Sequence, residues 1–348
     1  MRQAGVWCGL FVVLCLLLAT TPQAAAQSSG ELNLTTSPLP INLEVKPGNT
    51  ISTDLRVQNS GNQTETLKID LQKFKAYGED GKPQLIAREP GDDYFDWAHF
   101  SQTTFTAEPN VWTTIKMTIA VPKTAAFGYY YAVVFSRAHN TVASQPRANS
   151  IVGGTATLVL LDAQVPGAKK QVDVMAFISD KKLYEYLPAQ FTIRLRNAGV
   201  VHVAPSGTLF ILRGKKQVDL ININPEKGNI LPGSNRIFRI GWDNGFPRYV
   251  ASSSNGQVIK DKNGQDVQNL KWDFSQASHL RIGRYTAKLL LTYDNGSRDV
   301  PIQASVSFWV LPWKLLAGFL VFLGLCGAGL WFIARSLLRK LKAPKSPR

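Results

Sequence analysis

Apolar and polar residues alternate along several stretches in the middle of the chain, and this pattern predicts β-strands. A period of two places one face of a strand against a core and the other in water. Three stretches show this pattern most clearly. "TIKMTIAV" has the apolar face Ile115, Met117, Ile119 and Val121, and "QFTIRLRN" has Phe191, Ile193 and Leu195. "YTAKLLLTY" has Tyr285, Ala287, Leu289, Leu291 and Tyr293. Turn dipeptides such as Asp80-Gly81 and Asn263-Gly264 separate the runs. Many short strands with regular turns are typical of antiparallel β-sandwiches.

One local pattern occurs twice and predicts two such units in tandem. "RVQNSG" and "RLRNAG" each end an alternating run with Asn-x-Gly, at Asn59 and Asn197. Asn and Gly tolerate a positive φ, so we expect that conformation where the chain leaves one sheet for the other. The predicted fold is all-β: two tandem immunoglobulin-like β-sandwiches, at residues 27–163 and 171–310, followed by one transmembrane α-helix. The Pro-Gly and Lys-rich residues 164–170 are the predicted linker.

The first residues have the pattern of a secretory signal peptide. One Arg precedes an apolar run, and the small residues Ala24-Ala25-Ala26 follow it. This order of a charged start, a short apolar run and an Ala-x-Ala end is typical of an exported chain. We therefore predict cleavage after residue 26. The alternative is a signal anchor that is retained.

The C-terminus has the pattern of a membrane-spanning helix, predicted at residues 311–334. The run from Leu315 to Ala334 carries no charge, and about 20 helical residues cross the hydrocarbon core of a bilayer. The residues predicted to anchor this helix are three interfacial aromatics and basic residues of the tail at 335–348, namely Trp309, Trp313, Trp331, Arg335, Arg339 and Lys340. We therefore expect a single-pass protein of the cell membrane, with its N-terminus outside and its tail in the cytoplasm. A buried core helix is the alternative.

Charge and cysteine content describe the segment between these ends. The formal net charge is +15; Arg2, Lys314 and the six basic residues of the tail carry eight of these charges, which leaves +7 for residues 27–310. A mildly basic segment suits an anionic surface such as a cell wall, but is too weakly charged to predict nucleic-acid binding. The three cysteines, Cys8, Cys15 and Cys326, all lie in the two apolar ends. An extracellular β-sandwich protein without cysteine there points to a bacterial source.

Motifs for catalysis or cofactor binding are missing from the sequence. The four histidines have no metal-ligand spacing, and neither a Gly-x-Ser-x-Gly elbow nor a phosphate-binding glycine loop occurs. We therefore predict no enzyme activity, no cofactor and no metal site. His202 is expected to be a half-exposed strand residue. The acidic loop with Asp92, Asp93 and Asp96 is interpreted as a solvated loop, with Ca²⁺ binding as the alternative.

Aromatic residues are the candidates for ligand binding. "YFDWAHF" holds Tyr94, Phe95, Trp97 and Phe100, and "GYYYAVVF" is expected to expose the ring of Tyr130. Loop aromatics can stack on sugar rings, so these five residues are the predicted ligand-binding set. The alternative is that the loop aromatics close one end of the first sandwich.

The order of these features resembles the WxL-interacting proteins of Gram-positive surfaces. The resemblance rests on a signal peptide, a first sandwich opening on "LPINLEVKPGNTISTDLRVQNSG", a second containing "LRNAGVVHVAPSGTLFI", one membrane helix and a basic tail. It implies peptidoglycan binding by the first domain and contact with host or partner proteins by the second. No residue-level motif transfers with it.

These features lead to two functional hypotheses. The first is a non-enzymatic, membrane-anchored surface protein that binds cell-wall polymer (peptidoglycan or an anionic glycopolymer) and a partner surface protein. The alternative is a chaperone-like or structural component of an envelope assembly, such as a pilus, secretion or adhesion machine, that pairs a client with an exposed strand edge. A wall hydrolase is the least favoured reading, since no acid–base pair stands out.

Overall fold

The structure is a computed structural model that describes residues 32–138, 154–254 and 256–342. The predicted signal peptide lies outside the described residues. Most of the described chain is β-sheet, and one long helix follows at the C-terminal end. The predicted all-β class is confirmed at this level, whereas the immunoglobulin-like topology stays a prediction.

The described part of the first sandwich contains ten strands in two sheets. The strands are β1 (Leu34–Ser37), β2 (Ile41–Val45), β3 (Thr50–Asn59), β4 (Glu65–Tyr77), β5 (Lys82–Ile86), β6 (Ala98–Phe100), β7 (Thr104–Ala107), β8 (Trp112–Ala120), β9 (Gly128–Arg137) and β10 (Gly154–Ala163). One sheet has the order β1-β3-β8-β6, and the other has the order β2-β10-β9-β4-β5, with β7 also paired to β4. A 3₁₀ helix, Asp93–Trp97, precedes β6.

The core of this sandwich lies between the two sheets and follows the predicted alternation. Ile115, Met117 and Ile119 of β8 are fully buried, and so are Tyr131 and Phe135 of β9 from the opposite sheet. Lys116 between them is exposed. The period of two therefore identified the inward face of β8 correctly.

The second sandwich contains twelve described strands. These are β11 (Val172–Ser179), β12 (Leu183–Tyr184), β13 (Ala189–Asn197), β14 (Ser206–Arg213), β15 (Lys216–Ile223), β16 (Asn235–Trp242), β17 (Arg248–Ala251), β18 (Ser253–Ser254), β19 (Gln257–Val258), β20 (Gln268–Lys271), β21 (Gly283–Asp294) and β22 (Asp299–Val310). Its main sheets have the orders β11-β13-β16 and β12-β22-β21-β14-β15. The pairs β17-β20 and β18-β19 and a 3₁₀ helix, Phe274–His279, lie between β16 and β21.

The long helix, α1 (Trp313–Lys342), begins almost directly after the last strand. Its segment Trp313–Arg335 is long and apolar enough to cross a membrane. Only Leu311 and Pro312 separate β22 from α1, and the Leu311 N–H donates to the Tyr184 carbonyl at 2.8 Å. The helix is therefore joined to the second sandwich by a short, hydrogen-bonded connection.

The two Asn-x-Gly corners are built alike, but not as the sequence predicted. In the first corner, Asn59 Nδ2 donates to the carbonyls of Gln63 and Ala107, and Asn59 Oδ1 accepts from the Gly61 N–H. In the second corner, Asn197 Nδ2 donates to the carbonyls of Val201 and Ile230, and Asn197 Oδ1 accepts from the Gly199 N–H. Both Asn side chains are buried. The expected positive φ is wrong, since none of these Asn and Gly residues has one. The buried amide, rather than a left-handed backbone, makes the corner.

The hairpin between β4 and β5 joins the two sandwiches. Glu79 at its tip accepts hydrogen bonds from Arg194 on β13 and from Asn235 on β16, the latter at 2.9 Å. Its backbone carbonyl accepts from the Ile237 N–H at 2.7 Å, and Asp80 accepts from Arg239 at 2.7 Å. The tip of a hairpin in the first sandwich is thus held against an edge strand of the second.

Candidate functional site: the cleft between the sandwiches

The outer face of the first sandwich is apolar where the second sandwich approaches it. Phe74 of β4, Ala132 of β9 and Leu160 of β10 are buried on this face, and Leu231 of the second sandwich packs against them. Since the opposite faces of the same strands fill the core, these strands are apolar on both sides. This second apolar face is the floor of a cleft between the sandwiches.

The cleft has a volume of about 550 Å³, and its walls combine apolar and basic residues. Leu39, Pro40, Phe74, Leu85, Ala156, Leu158, Leu160, Ile230 and Leu231 are its main apolar residues. Lys75, Lys82 and Arg236 are its charged residues, and no acidic residue lines it among those described. Such a surface favours a ligand that is apolar along its length and carries negative charge.

Arg236 is the most deeply placed cation of the cleft. Its Nη1 donates to the Asn229 carbonyl at 2.7 Å, and its guanidinium lies 5.2 Å from the centroid of the Phe238 ring. A Cβ atom at Gly81 or Gly228 would collide with this guanidinium, so both glycines permit its position. No carboxylate pairs with it in the described part of the chain. Burial lowers the pKa of Arg236 from its ordinary value, which reflects the cost of an unpaired buried charge.

Among the described strands, none pairs with one side of the first half of β10, which lies beside this cleft. Residues 154–158 pair with β9 on one side, while pairing with β2 on the other side begins only at Val159 and Ile41. No described strand pairs with residues 154–158 on that second side. Ala156 and Leu158 of this half-strand line the cleft. The unpaired backbone and the apolar floor therefore lie together.

A buried polar cluster also lies between the two sandwiches, around Asp162 and His202. His202 Nδ1 is 2.9 Å from Asp162 Oδ1, and Lys170 Nζ is 3.7 Å from Asp162 Oδ2. Tyr130 packs edge-on against His202 with ring centroids 6.0 Å apart. Burial, followed by the charge of Asp162, raises the pKa of Tyr130. His202 is buried, so its expected half-exposed strand position is wrong.

The predicted ligand-binding aromatics lie in two places rather than one. Tyr94 and Phe95 are buried in the core of the first sandwich, and Trp97 and Phe100 pack against that core. The Tyr131 hydroxyl donates to the Tyr94 carbonyl at 2.9 Å. These contacts favour the alternative in which the loop aromatics close one end of the sandwich; a ligand-binding role for them stays a prediction.

Tyr130 is separate from this group. It packs against Phe74, with ring centroids 6.0 Å apart, on the face that the second sandwich covers. Its expected exposed ring is wrong for that reason. The sequence prediction treated the first sandwich alone and had no means of seeing the neighbour.

The acidic loop uses its carboxylates within the protein. Asp92 accepts from Lys73 at 2.9 Å and from the Glu89 N–H at 2.7 Å, and Asp96 accepts from Arg88 at 2.8 Å. The Glu89 N–H, and then the Lys73 ammonium, hold the pKa of Asp92 below its usual value. In the described residues no group of three potential metal ligands comes together.

The residues predicted to anchor the chain in a membrane lie along α1 and just before it. Trp309, Trp313 and Trp331 are half-exposed, and the guanidinium of Arg335 lies 5.0 Å from the centroid of the Trp331 ring. Arg339 and Lys340 belong to the same helix, and their side chains lie outside the described part of it.

The cleft residues were missed in the sequence, although the sequence carries a signal for them. The strands "YYYAVVF" and "TATLVLL" contain apolar residues at consecutive positions instead of alternating ones. A strand that is apolar on both faces is buried on both faces. This signal would have identified Leu158 and Leu160, but not the partner surface that covers them.

Comparisons with known proteins give only distant similarities. No family model matches the chain, and no curated protein matches it. The class 5 fimbriae chaperone CfaA is 17% identical, with a TM-score of 0.33, over 69% of this chain and 100% of that one. The CsuC–CsuE chaperone–tip adhesion subunit complex of Acinetobacter baumannii is 11% identical, with a TM-score of 0.34, over 78% and 97%. The YadV chaperone is 12% identical, with a TM-score of 0.31, over 80% and 100%. At these identities and scores, none of the likenesses assigns a function to this chain.

Proposed function

We propose that the chain is a non-enzymatic, chaperone-like component of an envelope assembly. In this proposal it binds an extended segment of a client surface protein in the cleft between its sandwiches. The helix α1 anchors it in the cell membrane, with both sandwiches outside and the basic tail inside. The observation that carries the proposal is that no described strand pairs with residues 154–158 of β10 on one side, beside an apolar and basic cleft.

The geometry of the cleft suits strand addition. A client strand laid along that side of β10 would pair its backbone with residues 154–158. Since side chains of a strand alternate, every second client residue would point toward Leu158, Phe74 and their neighbours. Backbone pairing supplies affinity for many sequences, whereas the apolar floor selects residues at alternate positions.

The charge of the cleft adds a preference for acidic clients. Lys75, Lys82 and Arg236 line it without an acidic residue among the described ones. A carboxylate on the client would give Arg236 a charged partner, which none of the described residues provides. Such a pair forms in a partly desolvated site, where it is screened less by salt than a pair on an open surface.

Membership of the WxL-interacting family and wall-polymer binding by the first domain are kept as separate proposals. The first is compatible with a client at a bacterial surface. The second has lost its main physical support, because Tyr94 and Phe95 are buried rather than displayed. Client binding in the cleft is therefore the function that we put first.

Site-specific photocrosslinking in cells tests this proposal. The photoreactive residue p-benzoylphenylalanine replaces Leu158 in the full-length chain, and a matched chain carries it at Leu220, an exposed apolar residue on β15 outside the cleft. We expect adducts with exported surface proteins at Leu158 and few at Leu220. Peptide mapping should place the crosslinked client segment in an extended apolar stretch.

Purified protein in detergent provides the quantitative test. The probes are nine-residue peptides that alternate Val or Ile with either Glu or Lys. We expect the acidic peptides to bind more tightly and Leu158→Asp to weaken binding at least about tenfold, the equivalent of about 1.4 kcal/mol. Leu220→Asp should bind the peptides as the unchanged protein does.

In the crosslinking experiment, two results would overturn the proposal. One is adducts confined to wall glycan or to residues 139–153 of the same chain, and the other is equal adducts at Leu158 and Leu220.

A further inference from the structure

A segment of the second sandwich, residues 243–282, extends from the sheet between β16 and β21 and carries a cluster of aromatic residues. The ring centroids of Phe246 and Trp272 are 5.7 Å apart, and those of Phe246 and Phe274 are 5.4 Å apart. Trp272 and Phe274 stack at an interplanar angle of 27°. We name residues 243–282 the connecting segment.

This cluster lies on the surface of the protein. Phe274 is 73% exposed, Leu280 49% and Trp272 47%. Scattered single apolar residues are ordinary on a protein surface, but a contiguous aromatic patch marks an interaction site.

The patch is continuous with the first turns of α1. A groove of about 710 Å³ is lined by Trp272, Leu280 and Ile282 of the connecting segment and by Leu316, Phe319 and Phe322 of the helix. The helix residues recur every three positions, so they form one stripe on its surface. Phe322 is nine residues from the first residue of α1, which is roughly 13 Å along the axis.

Polar contacts hold the connecting segment in this position. Glu185 accepts from Tyr249 of the segment at 3.3 Å and pairs with Lys314 of α1 at 2.8 Å. The Tyr249 N–H donates to the Leu187 carbonyl at 2.8 Å. Because only two residues separate β22 from α1, the segment and the helix are fixed to the same sheet.

From this geometry we propose that the connecting segment docks into the membrane interface. Trp272, Phe274 and Leu280 enter the outer leaflet of the same bilayer that α1 crosses. The inference rests on the proposed membrane anchoring of α1. If the apolar run of α1 lies in hydrocarbon, the groove beside its first turns lies at the depth of the lipid headgroups or below, so the segment cannot remain in bulk water.

The chemistry of the segment favours a lipid interface over a charged surface. Tryptophan and phenylalanine are well suited to the boundary between headgroups and acyl chains. The segment carries five basic and four acidic residues, so attraction to anionic lipid is a minor contribution. Docking is therefore driven by apolar burial, and it orients the second sandwich and the cleft relative to the membrane.

Spin labelling of the full-length chain in liposomes tests the inference. Cys326, on the exposed surface of α1, is labelled as the reference for a membrane-spanning position. In chains with the native cysteines changed to Ser, Phe274→Cys and Leu280→Cys report on the patch. Leu220→Cys, at a residue 52% exposed on β15, is the matched control. The liposomes contain phosphatidylcholine and phosphatidylglycerol in a ratio of about three to one, which gives a simple bilayer with an anionic surface.

Collision with oxygen and with a water-soluble nickel chelate gives the depth of each label. We expect the labels at 274 and 280 to lie about 5–10 Å below the headgroup surface, the label at 326 deeper, and the label at 220 in water. The depth at 274 should not change with salt. Circular dichroism verifies that each variant is folded, and agreement between 274 and 280 guards against a local effect of one substitution.

The other outcomes contradict the inference in distinguishable ways. A label at 326 in lipid with labels at 274 and 280 in water would overturn the docking but leave α1 as an anchor. A label at 326 in water would overturn the anchoring proposal, and the docking with it. Labels at 274 and 280 that are in water in liposomes but shielded from both reagents in native membranes would identify a protein partner instead of lipid.

Discussion

Glu79 and Arg194 form a hydrogen-bonded ion pair between the two sandwiches, although 115 positions separate them in the chain. Glu79 lies in the turn after β4, and Arg194 lies in the middle of β13. The neighbouring pair Asp80–Arg239 repeats the contact on β16. This hairpin tip is therefore one of the contacts that hold the two sandwiches together beside the cleft, with the packing of Leu231 as another.

We predict that Glu79→Gln combined with Asp80→Asn loosens the contact between the sandwiches without unfolding either one. The backbone hydrogen bond from Ile237 to the Glu79 carbonyl survives the change, so the effect is partial. Small-angle scattering of the full-length chain in detergent should show a broader distribution of dimensions. The control is Asp54→Asn, an exposed carboxylate on β3. An unchanged scattering profile in the double variant would contradict the role of the hairpin.

The same contact should weaken in acid. Hydrogen bonds from Arg194 and then Asn235 hold the pKa of Glu79 below its usual value, and a hydrogen bond from Arg239 does the same for Asp80. A carboxylate whose pKa is lowered in the docked state stabilises that state fully at pH values above its pKa in the undocked state, which is about 4. This stabilisation is lost as the pH falls through the lowered pKa of the docked state.

Hydrogen exchange of the β4–β5 turn, followed from neutral pH downward and corrected for intrinsic rates, measures this loss. The amides should become less protected before the cores melt. Since the Glu79→Gln, Asp80→Asn chain has no such carboxylates, its corrected protection should not change over the same range. Equal acid sensitivity in both chains would show that other groups control the contact.

The corner asparagines are predicted to matter to stability in both sandwiches equally. Asn59→Ala and Asn197→Ala each leave two carbonyls and one N–H without the side-chain partner that they have now. Buried polar groups without partners cost about 1–3 kcal/mol each, with partial relief from water, so we expect a loss of about 2–4 kcal/mol in the free energy of unfolding. Denaturant titration measures it, with the exposed Asn62→Ala as control. Similar losses at positions 59 and 62 would refute the buried-amide account.

These corners show what the sequence reveals about the fold and what it does not. The repeat of Asn-x-Gly correctly marked equivalent positions at the ends of β3 and β13. The conformation was predicted wrongly because residue preferences report on backbone φ, whereas the structure uses the buried side-chain amide. At Gly199 the glycine is required by close approach, since a Cβ atom there would collide with the Lys169 carbonyl.

The cleft could not be predicted from the sequence, for a different reason. Alternation within one strand reports whether each face is buried, but not by what. Tyr130 was assigned to solvent because its neighbours Tyr129 and Tyr131 belong to the inward face. The covering residues come from the second sandwich, since Leu231 packs on this face and His202 lies against the Tyr130 ring. Both lie far away in sequence and are positioned only by the packing of the two sandwiches.

The loop aromatics should behave as core residues. Phe95→Ala removes a buried ring that packs against Tyr94 and Tyr131, and the expected loss in unfolding free energy is about 3–5 kcal/mol. The comparison is Trp112→Ala, at a partly exposed ring on β8 that lies under Arg56 of β3. This change should lower the free energy of unfolding by about 1 kcal/mol or less. Denaturant titration compares the two. A mild effect of Phe95→Ala together with lost binding to purified cell walls would restore the wall-polymer reading.

We predict that Arg236 contributes to the preference for acidic clients and contributes little to the stability of the fold. Its guanidinium is partly desolvated and has the Asn229 carbonyl and the Phe238 ring as partners rather than a carboxylate. Arg236→Met keeps the length of the side chain and removes the desolvated charge, at the expense of one hydrogen bond. We therefore expect the free energy of unfolding to stay within about 1 kcal/mol of the original or to rise. The preference for acidic over basic alternating peptides should fall at least about tenfold.

The matched control is Arg284→Met, which removes an exposed charge on β21. It should leave the peptide preference intact, because Arg284 is outside the lining of the cleft and outside the contacts of the β4–β5 hairpin tip. Thermal unfolding and peptide titration on the same preparations give both quantities. If Arg236→Met destabilises the protein strongly while the preference for acidic peptides persists, Arg236 is a structural residue, and the charge selectivity of the cleft resides in Lys75 and Lys82.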